Sequence, residues 1–444
     1  MTGDGFEEEP VPAAEPAPSG EKRYVSKMDT RNEYKVKSLR DFHNYIKSSL
    51  LFSRVLQSGM ALLDIGCGKA GDIHKWSAAN LAWVLGIDPA EDSLNNPRDG
   101  AYRRYVNKRA EFPSTPPMVF VQGSAIRPFS TGDAGITTED QTMLRALFNS
   151  PLGGSQPPKF LVESGLIGRA AAKFEAVSCM FALHYFFERP ETVDSFLHNL
   201  SDCLKVGGFF IGCCFDGETV FNALSTLKQG GVMTGKEEET EIWSITKQYD
   251  SDPEELALPV TSGGVGRAID VSFITIGDNH REYLVHFGYL QARLAELGID
   301  LLLPEEMAAL KIKESTGMFK GVYDRVNTRF GMPPKIRDYS FLNRWFIFRR
   351  RSYGPLTTAS QRLGVDEGEP IVLPKLPVSS TSTRGRGGST RGRGRGSSVA
   401  ASVPAVMGAP APPAPLVVEL TRGRGGSTRS RGRGRGGNKV TIDL

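Results

Sequence analysis

The sequence has few cysteines and no long apolar run. The five cysteines show no Cys-x-x-Cys or Cys/His spacing, so we expect buried, reduced thiols of an intracellular protein and no zinc site or disulfide framework; they are Cys67, Cys179, Cys203, Cys213 and Cys214. No stretch approaches the roughly twenty apolar residues that cross a bilayer, and no signal peptide is recognisable. The pattern therefore predicts neither a metal site nor a membrane span.

Apolar residues are also scarce, and the charge is uneven. Only 39% of the 444 residues are hydrophobic, so part of the chain is expected to be disordered. The first twenty residues contain acids and no base, whereas the near-identical blocks Thr383–Gly396 and Thr421–Gly437 hold ten Arg-Gly dipeptides. These features predict disordered tails at 1–22 and 354–444 around one domain at 23–353. The C-terminal tail has the charge to bind RNA phosphates; the alternative is a solubilising spacer.

A glycine-rich turn lies between two apolar runs. The run Leu62–Ile65 leads into Gly66-x-Gly68-x-x-Gly71, and the run Leu81–Ile87 ends at Asp88. Glycines let the backbone approach a ligand, and an acid about twenty residues later can accept both hydroxyls of a ribose. Asp64 before the turn is more typical of S-adenosylmethionine-dependent methyltransferases than of dinucleotide enzymes. The alternatives are another nucleotide domain or a turn without function.

Apolar runs alternate with helical patterns, which predicts an α/β fold with a mostly parallel sheet. A helical pattern covers about Tyr24 to Leu56, and a second helix is expected from Pro190 through Leu204, ended by Gly207-Gly208. The predicted strands are Ala61–Ile65, Trp83–Ile87, Met118–Gln122, Ala176–Cys179 and Gly208–Cys213.

The rest of the domain departs from this alternation. Residues Ile126–Gly168 are polar, which predicts a surface insertion with one short helix near Thr138–Phe148. Residues Glu241–Phe287 alternate between apolar and polar, as antiparallel strands do, with a loop at Asp250–Gly266. A helix at Phe287–Leu297 and a last strand at Phe341–Phe348 complete the prediction.

From about Asn32 to Arg350 the chain resembles the mRNA cap (guanine-N7) methyltransferases, in particular the forms of large DNA viruses. The glycine turn alone fits many methyltransferases; its extension to Lys75-Trp76 and the runs around His184 and Glu282 are more specific. The matching stretches are Phe42–Ser48, Asp64–Trp76, Gly86–Asp88, Arg104–Tyr105, Val177–Glu188, Gly208–Gly212, Glu241–Trp243 and Glu282–Phe287. The resemblance implies a Rossmann-like class I methyltransferase fold with an antiparallel cap-binding insertion.

The resemblance also implies roles for individual residues. Lys47 would meet the methionine carboxylate of S-adenosyl-L-methionine, and Asp88 its ribose. Glu282 would hold the guanine, and with His184 and Tyr185 it would position the reacting groups. The implied cofactor residues are Lys47, Asp64, Gly66, Gly68, Asp88, Ser124, Met180 and Tyr185; the implied cap and RNA residues are His43, Asn44, Lys69, Lys75, Arg104, His184, Glu282 and Trp345.

The chain differs from the family pattern at a few positions. Ala70 stands where the family has glycine, Ser124 where it has an acid and Met180 where it has glutamine. A tyrosine that helps to close the family's pocket aligns with either Asn343 or Trp345. These changes concern cofactor affinity more than activity.

Plainer interpretations remain open for several of these residues. His184 could be a core histidine, Lys75 and Arg104 solvated helix charges, and Glu282 an exposed strand acid. The implied reaction is methyl transfer from S-adenosylmethionine to guanine N7 of 5′-capped mRNA. The alternatives are another RNA methyltransferase or a non-catalytic cap or RNA adaptor.

The sequence has no lysine-centred nucleotidyl-transfer motif. We therefore expect a separate RNA triphosphatase and guanylyltransferase to supply the capped RNA. The expected location is the nucleus, or the cytoplasm or virion of a virus infection.

Overall fold

The computed structural model describes residues 30–250, 257–259, 262, 264–275, 277–326 and 329–352. The predicted tails and much of the predicted loop Asp250–Gly266 lie outside these residues. The helices are α1 Thr30–Tyr45, α2 Ser53–Val55, α3 Ile73–Ala78, α4 Glu91–Asn95, α5 Ala101–Glu111, α6 Thr138–Leu147, α7 Lys159–Glu163, α8 Pro190–Cys203, α9 Gly217–Ala223, α10 Phe287–Glu296, α11 Pro304–Ala309, α12 Phe319–Val326 and α13 Pro334–Ser340. The strands are β1 Ala61–Ile65, β2 Trp83–Asp88, β3 Met118–Gln122, β4 Phe174–Met180, β5 Leu204–Phe215, β6 Val232–Glu237, β7 Thr240–Lys247, β8 Ala268–Phe273, β9 Gly277–Tyr283, β10 Ile299–Leu301, β11 Thr316–Met318 and β12 Asn343–Arg350.

The main sheet confirms the predicted Rossmann-like architecture. Its order is β10-β12-β5-β4-β1-β2-β3, and β11 also pairs with β12. Strands β3, β2, β1, β4 and β5 are parallel to one another, and β12 is antiparallel to β5. A second, antiparallel sheet of order β6-β7-β8-β9 confirms the alternating pattern, although it begins at Val232, before the predicted start.

Both faces of the main sheet are buried. Leu62 and Val84 belong to one apolar cluster, whereas their neighbours Leu63 and Leu85 belong to the cluster on the opposite face. Successive side chains of a strand point to opposite faces, so a parallel sheet covered on both sides needs continuous apolar runs. This requirement explains why the strand runs were so clear in the sequence. Because β1, β2 and β4 are parallel, their carboxyl ends lie at one edge of the sheet.

Two expectations about local structure were wrong. Gly207 and Gly208 do not end a helix: α8 ends at Cys203, and both glycines lie inside β5, where the pairing register with β4 shifts. Gly207 has φ of 82°, a conformation that glycine adopts readily, at this irregularity of the strand. The insertion is not only superficial, because Phe129 and Leu144 are fully buried in the same cluster as Leu85. Its helix was placed correctly, as α6.

The predicted N-terminal helix contains an irregular segment. Helix α1 is followed directly by a π-helix at Ile46–Phe52, before α2. π-helical residues make up well under about 1% of globular proteins and often lie at functional sites. Among the described residues, no helix is long and apolar enough to cross a membrane. All five cysteines are buried and free, as expected.

Candidate functional site

The glycine turn connects β1 to α3 at the carboxyl edge of the main sheet. Gly66 has φ of 72°, and a Cβ there would lie 2.4 Å from Cβ of Ala182, so only glycine fits. Gly68 has φ of 51°, and Cβ atoms built at Gly68 and Gly71 meet no atom within 4 Å. The turn therefore borders open space with bare backbone. Ala70 has φ of 52° although it is not glycine, so the methyl group is accommodated in a strained conformation.

Asp88 ends β2 and holds the turn in place. Its carboxylate accepts hydrogen bonds from the backbone N–H groups of Gly68, at 2.8 Å, and Ala90, at 2.9 Å. Each carboxylate oxygen has a second lone pair, so Asp88 can still accept from a ligand hydroxyl. The side chain is nearly buried, since the residue is 8% exposed.

A charged network connects the π-helix to the turn. The ammonium of Lys47 lies 2.8 Å from an oxygen of Asp72, and Lys75 Nζ lies 2.7 Å from Asp72 Oδ1 and 3.1 Å from Asn44 Oδ1. Burial acts to raise the pKa of Asp72, but the two lysines outweigh it and the pKa is lowered. Burial likewise acts to lower the pKa of Lys47, but Asp72 raises it above its ordinary value. Both groups are therefore ionised at neutral pH.

A cavity of about 610 Å³ opens beside this network, between the two sheets. Its wall brings together residues that are far apart in the sequence, from α1, the π-helix, α5, the segment after β4, and β9. The predicted site residues on the wall are His43, Asn44, Lys47, Arg104, His184, Tyr185 and Glu282.

Glu282 lies deep in the cavity wall. His184 Nδ1 is 3.5 Å from Glu282 Oε2, and Oε2 is buried without a hydrogen bond to any described residue. Burial raises the pKa of Glu282 to about 8. A buried polar atom without a hydrogen bond is uncommon in native proteins, so this carboxyl oxygen is available to a ligand that can donate hydrogen bonds.

His43 and Phe181 form a flat part of the wall. Their rings are stacked with centroids 5.2 Å apart, and His43 Nε2 lies 3.0 Å from Ser340 Oγ. Burial, with a contribution from Lys47, lowers the pKa of His43 to about 3, so this imidazole is neutral. Phe181 has φ of 57°, which is strained for an aromatic residue, and it lines the cavity.

Comparison with known proteins connects this arrangement to one family. The family model described as "mRNA (guanine-N(7))-methyltransferase domain" matches residues 20–328. The chain belongs to this family.

Individual relatives agree with the family match. The chain is 28% identical over 278 residues to a probable mRNA-capping enzyme of Acanthamoeba polyphaga mimivirus, covering 61% of this chain and 22% of that protein. It is 28% identical over 287 residues to an mRNA cap guanine-N(7) methyltransferase of Candida glabrata, covering 64% and 58%. A Schizosaccharomyces pombe protein of the same name is 31% identical over 195 residues, covering 43% of each chain. The chain thus spans less than two thirds of each of these relatives.

Some residues implied by the family pattern do not lie on the cavity wall. Lys69 is paired with Asp99 at 2.8 Å, and Ser124 donates its backbone N–H to Ala134. Met180 Sδ contacts the thiol of Cys213 at 3.7 Å. Asp64 is buried in β1 and accepts a hydrogen bond from Ser178; burial raises its pKa to about 8. The roles of these residues stay predictions.

Trp345, one of the implied cap residues, does not line the cavity. This residue is 2% exposed and packs in the apolar core, although it lies on the same face of β12 as Asn343, two residues earlier. Asn343, the other position aligned with the family tyrosine, does line the cavity. Asn343 is therefore the better candidate for a cap contact from β12.

No pattern in the sequence predicted that three aromatic residues form part of the cavity wall. Tyr339 on α13 packs on Phe273 of β8, with ring centroids 4.8 Å apart, and on Phe215 of β5 at 5.3 Å. All three line the cavity. They come from three separate elements, so no local motif could reveal the group.

Among the described residues, no cluster of His, Cys, Asp and Glu could hold a metal ion.

Proposed function

We propose that this protein transfers a methyl group from S-adenosyl-L-methionine to N7 of the guanosine cap at the 5′ end of mRNA. The observation that carries the proposal is the buried carboxyl of Glu282, whose Oε2 has no hydrogen-bond partner among the described residues. Guanine presents an N1–H and a 2-amino group on one edge, and an ionised carboxylate can accept from both. Adenine has no N1–H, so this side chain supports a site selective for guanine.

The residues around the glycine turn suit the proposed cofactor. Open space borders Gly68 and Gly71, the Asp88 carboxylate has lone pairs for ribose hydroxyls, and Lys47 supplies a cation for a carboxylate. Bound S-adenosylmethionine supplies an electrophilic methyl group. Lys47 would then share its ammonium protons between Asp72 and the cofactor carboxylate.

The proposed reaction needs no general base, because guanine N7 has a free lone pair and no proton to lose. The task of the protein is to orient the guanine in line with the methyl group. Glu282 holds one edge of the base, while His184 and Tyr185, with ring centroids 4.2 Å apart, form the adjoining surface. Phe181 and His43 limit the space on the side of α1. These contacts make the site a positioning device.

Basic residues near the cavity mouth support a capped RNA as substrate. Arg104 lies on the wall, and Lys75 donates a hydrogen bond to Asn44, which is also a wall residue. Either cation can face phosphates of the 5′–5′ bridge. The capped RNA would come from a separate RNA triphosphatase and guanylyltransferase, in the nucleus or in virus-infected cytoplasm.

The direct test is methylation with S-adenosylmethionine labelled in its methyl group. Capped RNA should acquire label, whereas uncapped RNA of the same sequence and RNA with a 7-deazaguanosine cap should not. Label in the uncapped or 7-deaza RNA would instead support a methyltransferase acting on another position. Binding of capped RNA without any label transfer would support a non-catalytic adaptor.

A further inference from the structure

A second cavity adjoins the first on the outer side of α1. Its volume is about 440 Å³, and its mouth is open. Asn44 belongs to the walls of both cavities. The two spaces are therefore neighbours, separated by the last turn of α1 and the start of the π-helix.

The π-helix supplies residues to both sides of this division. Lys47 lines the large cavity, whereas Ser48 and Ser49, the next two residues, line the second. A π-helix has more residues per turn than an α-helix, so successive side chains are redistributed around the axis. This rare element thus places a cation in one cavity and two hydroxyl groups in the other.

The second cavity has a flat cationic surface. The guanidinium of Arg329 lies 5.2 Å from the ring centroid of Tyr45 and 5.5 Å from that of Phe330, within the range of cation–π interactions. Phe330 is in turn held by the buried ring of Phe42, 5.3 Å away. The surface is therefore supported from below by packed aromatic rings.

The remaining lining consists of hydrogen-bonding groups. Asn44 offers an amide, and Ser48 and Ser49 offer hydroxyls. Asp41 contributes a carboxylate that is paired with Lys37. A carboxylate repels the negative charge of a phosphate group, but it accepts hydrogen bonds from the amino groups of bases. Planar stacking surfaces combined with such groups are how proteins bind unpaired RNA bases.

We propose that this second cavity binds the base of the first transcribed nucleotide of the capped RNA. The inference rests on the proposed function, in which the cap guanine occupies the large cavity. Lys75 Nζ, 3.1 Å from Asn44 Oδ1, places a cation at the wall shared by the two cavities. The triphosphate that connects the two bases must pass over Asn44, which lines both cavities. The ammonium of Lys75 therefore lies near the charged part of the ligand.

The test compares ligands that differ in the second nucleoside. Calorimetry on the full chain would measure binding of GTP, which lacks that nucleoside, and of the cap dinucleotides GpppA and GpppU. The wild-type protein should bind GpppA about tenfold more tightly than GTP and more tightly than GpppU, because purines stack better. Arg329→Ala should remove most of this advantage and leave GTP binding unchanged.

Arg325→Ala is the matched control. Arg325 is a guanidinium four residues earlier, half exposed, paired with Glu314 and on neither cavity wall. Equal binding of GpppA and GTP by the wild-type protein, or an unchanged GpppA advantage in Arg329→Ala, would overturn the inference. Methyl transfer is measured separately: binding as expected but no methylation of GpppA would refute the proposed function while supporting the second cavity.

Discussion

At the scale of single residues, the chemistry of the site depends on groups whose surroundings are unusual. Glu282 is a carboxyl buried beside His184, and burial raises its pKa to about 8. Asp88 has both oxygens engaged by backbone N–H groups at the turn. Glu282 has a carboxyl oxygen that can accept a hydrogen bond from a ligand. Asp88 fixes the backbone of the glycine turn beside the proposed cofactor.

Glu282→Gln should lower cap methylation by about two orders of magnitude, because one acceptor is replaced by a donor that faces the donors of guanine. Affinity for S-adenosylmethionine should stay nearly constant. Steady-state kinetics together with calorimetry of cofactor binding would check both expectations. Near-normal turnover would show that the guanine binds elsewhere.

The raised pKa of Glu282 predicts that cap affinity depends on pH. The carboxyl must lose its proton to accept two hydrogen bonds, so affinity for the cap should rise about tenfold per pH unit as the pH approaches about 8, and then level off. Fluorescence or calorimetric titration of GpppA across this range is the measurement. Glu282→Gln is the control, since it cannot titrate and should show no such rise.

The same group affects stability with a defined sign. The pKa of Glu282 in the folded protein is about 8, above the ordinary value of 4.5. The protonated carboxyl therefore contributes its whole share of the unfolding free energy below pH 4.5, and this share is lost as the pH rises through about 8. The melting temperature of Glu282→Gln relative to the wild type should therefore increase with pH over this interval. A constant difference would contradict the raised pKa.

Asp88→Ala should weaken S-adenosylmethionine binding by about 2–4 kcal/mol, because ribose hydroxyls lose a charged acceptor in a nearly buried site. Asp88→Asn keeps one acceptor and should bind with intermediate affinity. Calorimetry of the two variants, with melting curves to show that they fold, would measure the effect. Unchanged affinity in a folded Asp88→Ala protein would remove Asp88 from the site.

At the scale of elements, the two sheets carry different halves of the proposed site. The turn after β1 and Asp88 at the end of β2 belong to the main sheet, whereas Glu282 lies on β9 and pairs with Ile269 of β8. Trp243 of β7 donates from Nε1 to the backbone carbonyl of Lys335 on α13, the helix that carries Tyr339. Substitutions in the second sheet should thus weaken binding of the cap more than binding of the cofactor.

Gly235→Ala tests this division. A Cβ at Gly235 would lie 2.1 Å from Nε1 of Trp243, so the indole must move and its bond to Lys335 is lost. We expect a loss of about 1–3 kcal/mol in unfolding free energy and a higher KM for capped RNA, with S-adenosylmethionine affinity almost unchanged.

Gly321→Ala is the control for that substitution. Gly321 lies on α12, and a Cβ there meets no atom within 4 Å, so alanine should be tolerated or should stabilise the helix by up to about 1 kcal/mol. If Gly235→Ala weakened cofactor binding as much as cap binding, the two halves of the site would not be separable.

At the scale of the whole molecule, the residues that the family model matches, 20–328, are followed by a strongly basic C-terminal sequence. The described helices and strands end at Arg350, and the ten Arg-Gly dipeptides lie beyond the described residues. Charge of this density attracts RNA regardless of its sequence, and the attraction weakens as salt is added. The proposed chemistry needs none of these residues.

Truncation after Pro355 should leave methylation of a cap dinucleotide almost unchanged. It should raise the KM for long capped RNA at low salt, because the cationic side chains no longer raise the local concentration of RNA. Added salt should reduce the advantage of the full-length protein. Equal kinetics of both forms on long RNA at low salt would rule out RNA capture and leave partner binding or solubility as the role of the tail.

The sequence was sufficient for the main sheet and for the residues of its glycine turn. Fully buried parallel strands require uninterrupted apolar runs, and a turn with φ above zero requires glycine, so both leave local signals. The strand boundaries at Ala61–Ile65 and Met118–Gln122 were correct to the residue. Local signals failed where a residue had two possible uses, as at Gly207 and Gly208, which lie inside β5 at a shift of the pairing register instead of ending a helix.

Only the tertiary structure decided which residues share the cavity. Tyr339, Phe273 and Phe215 meet because α13, β8 and β5 pack together, whereas Trp345 packs in the apolar core and does not line the cavity. The π-helix that divides the two cavities has no pattern distinct from an ordinary apolar helix. That Oε2 of Glu282 is buried without a hydrogen bond likewise depends on what surrounds it. Burial and contact between distant segments are properties of packing, so no local stretch of sequence contains them.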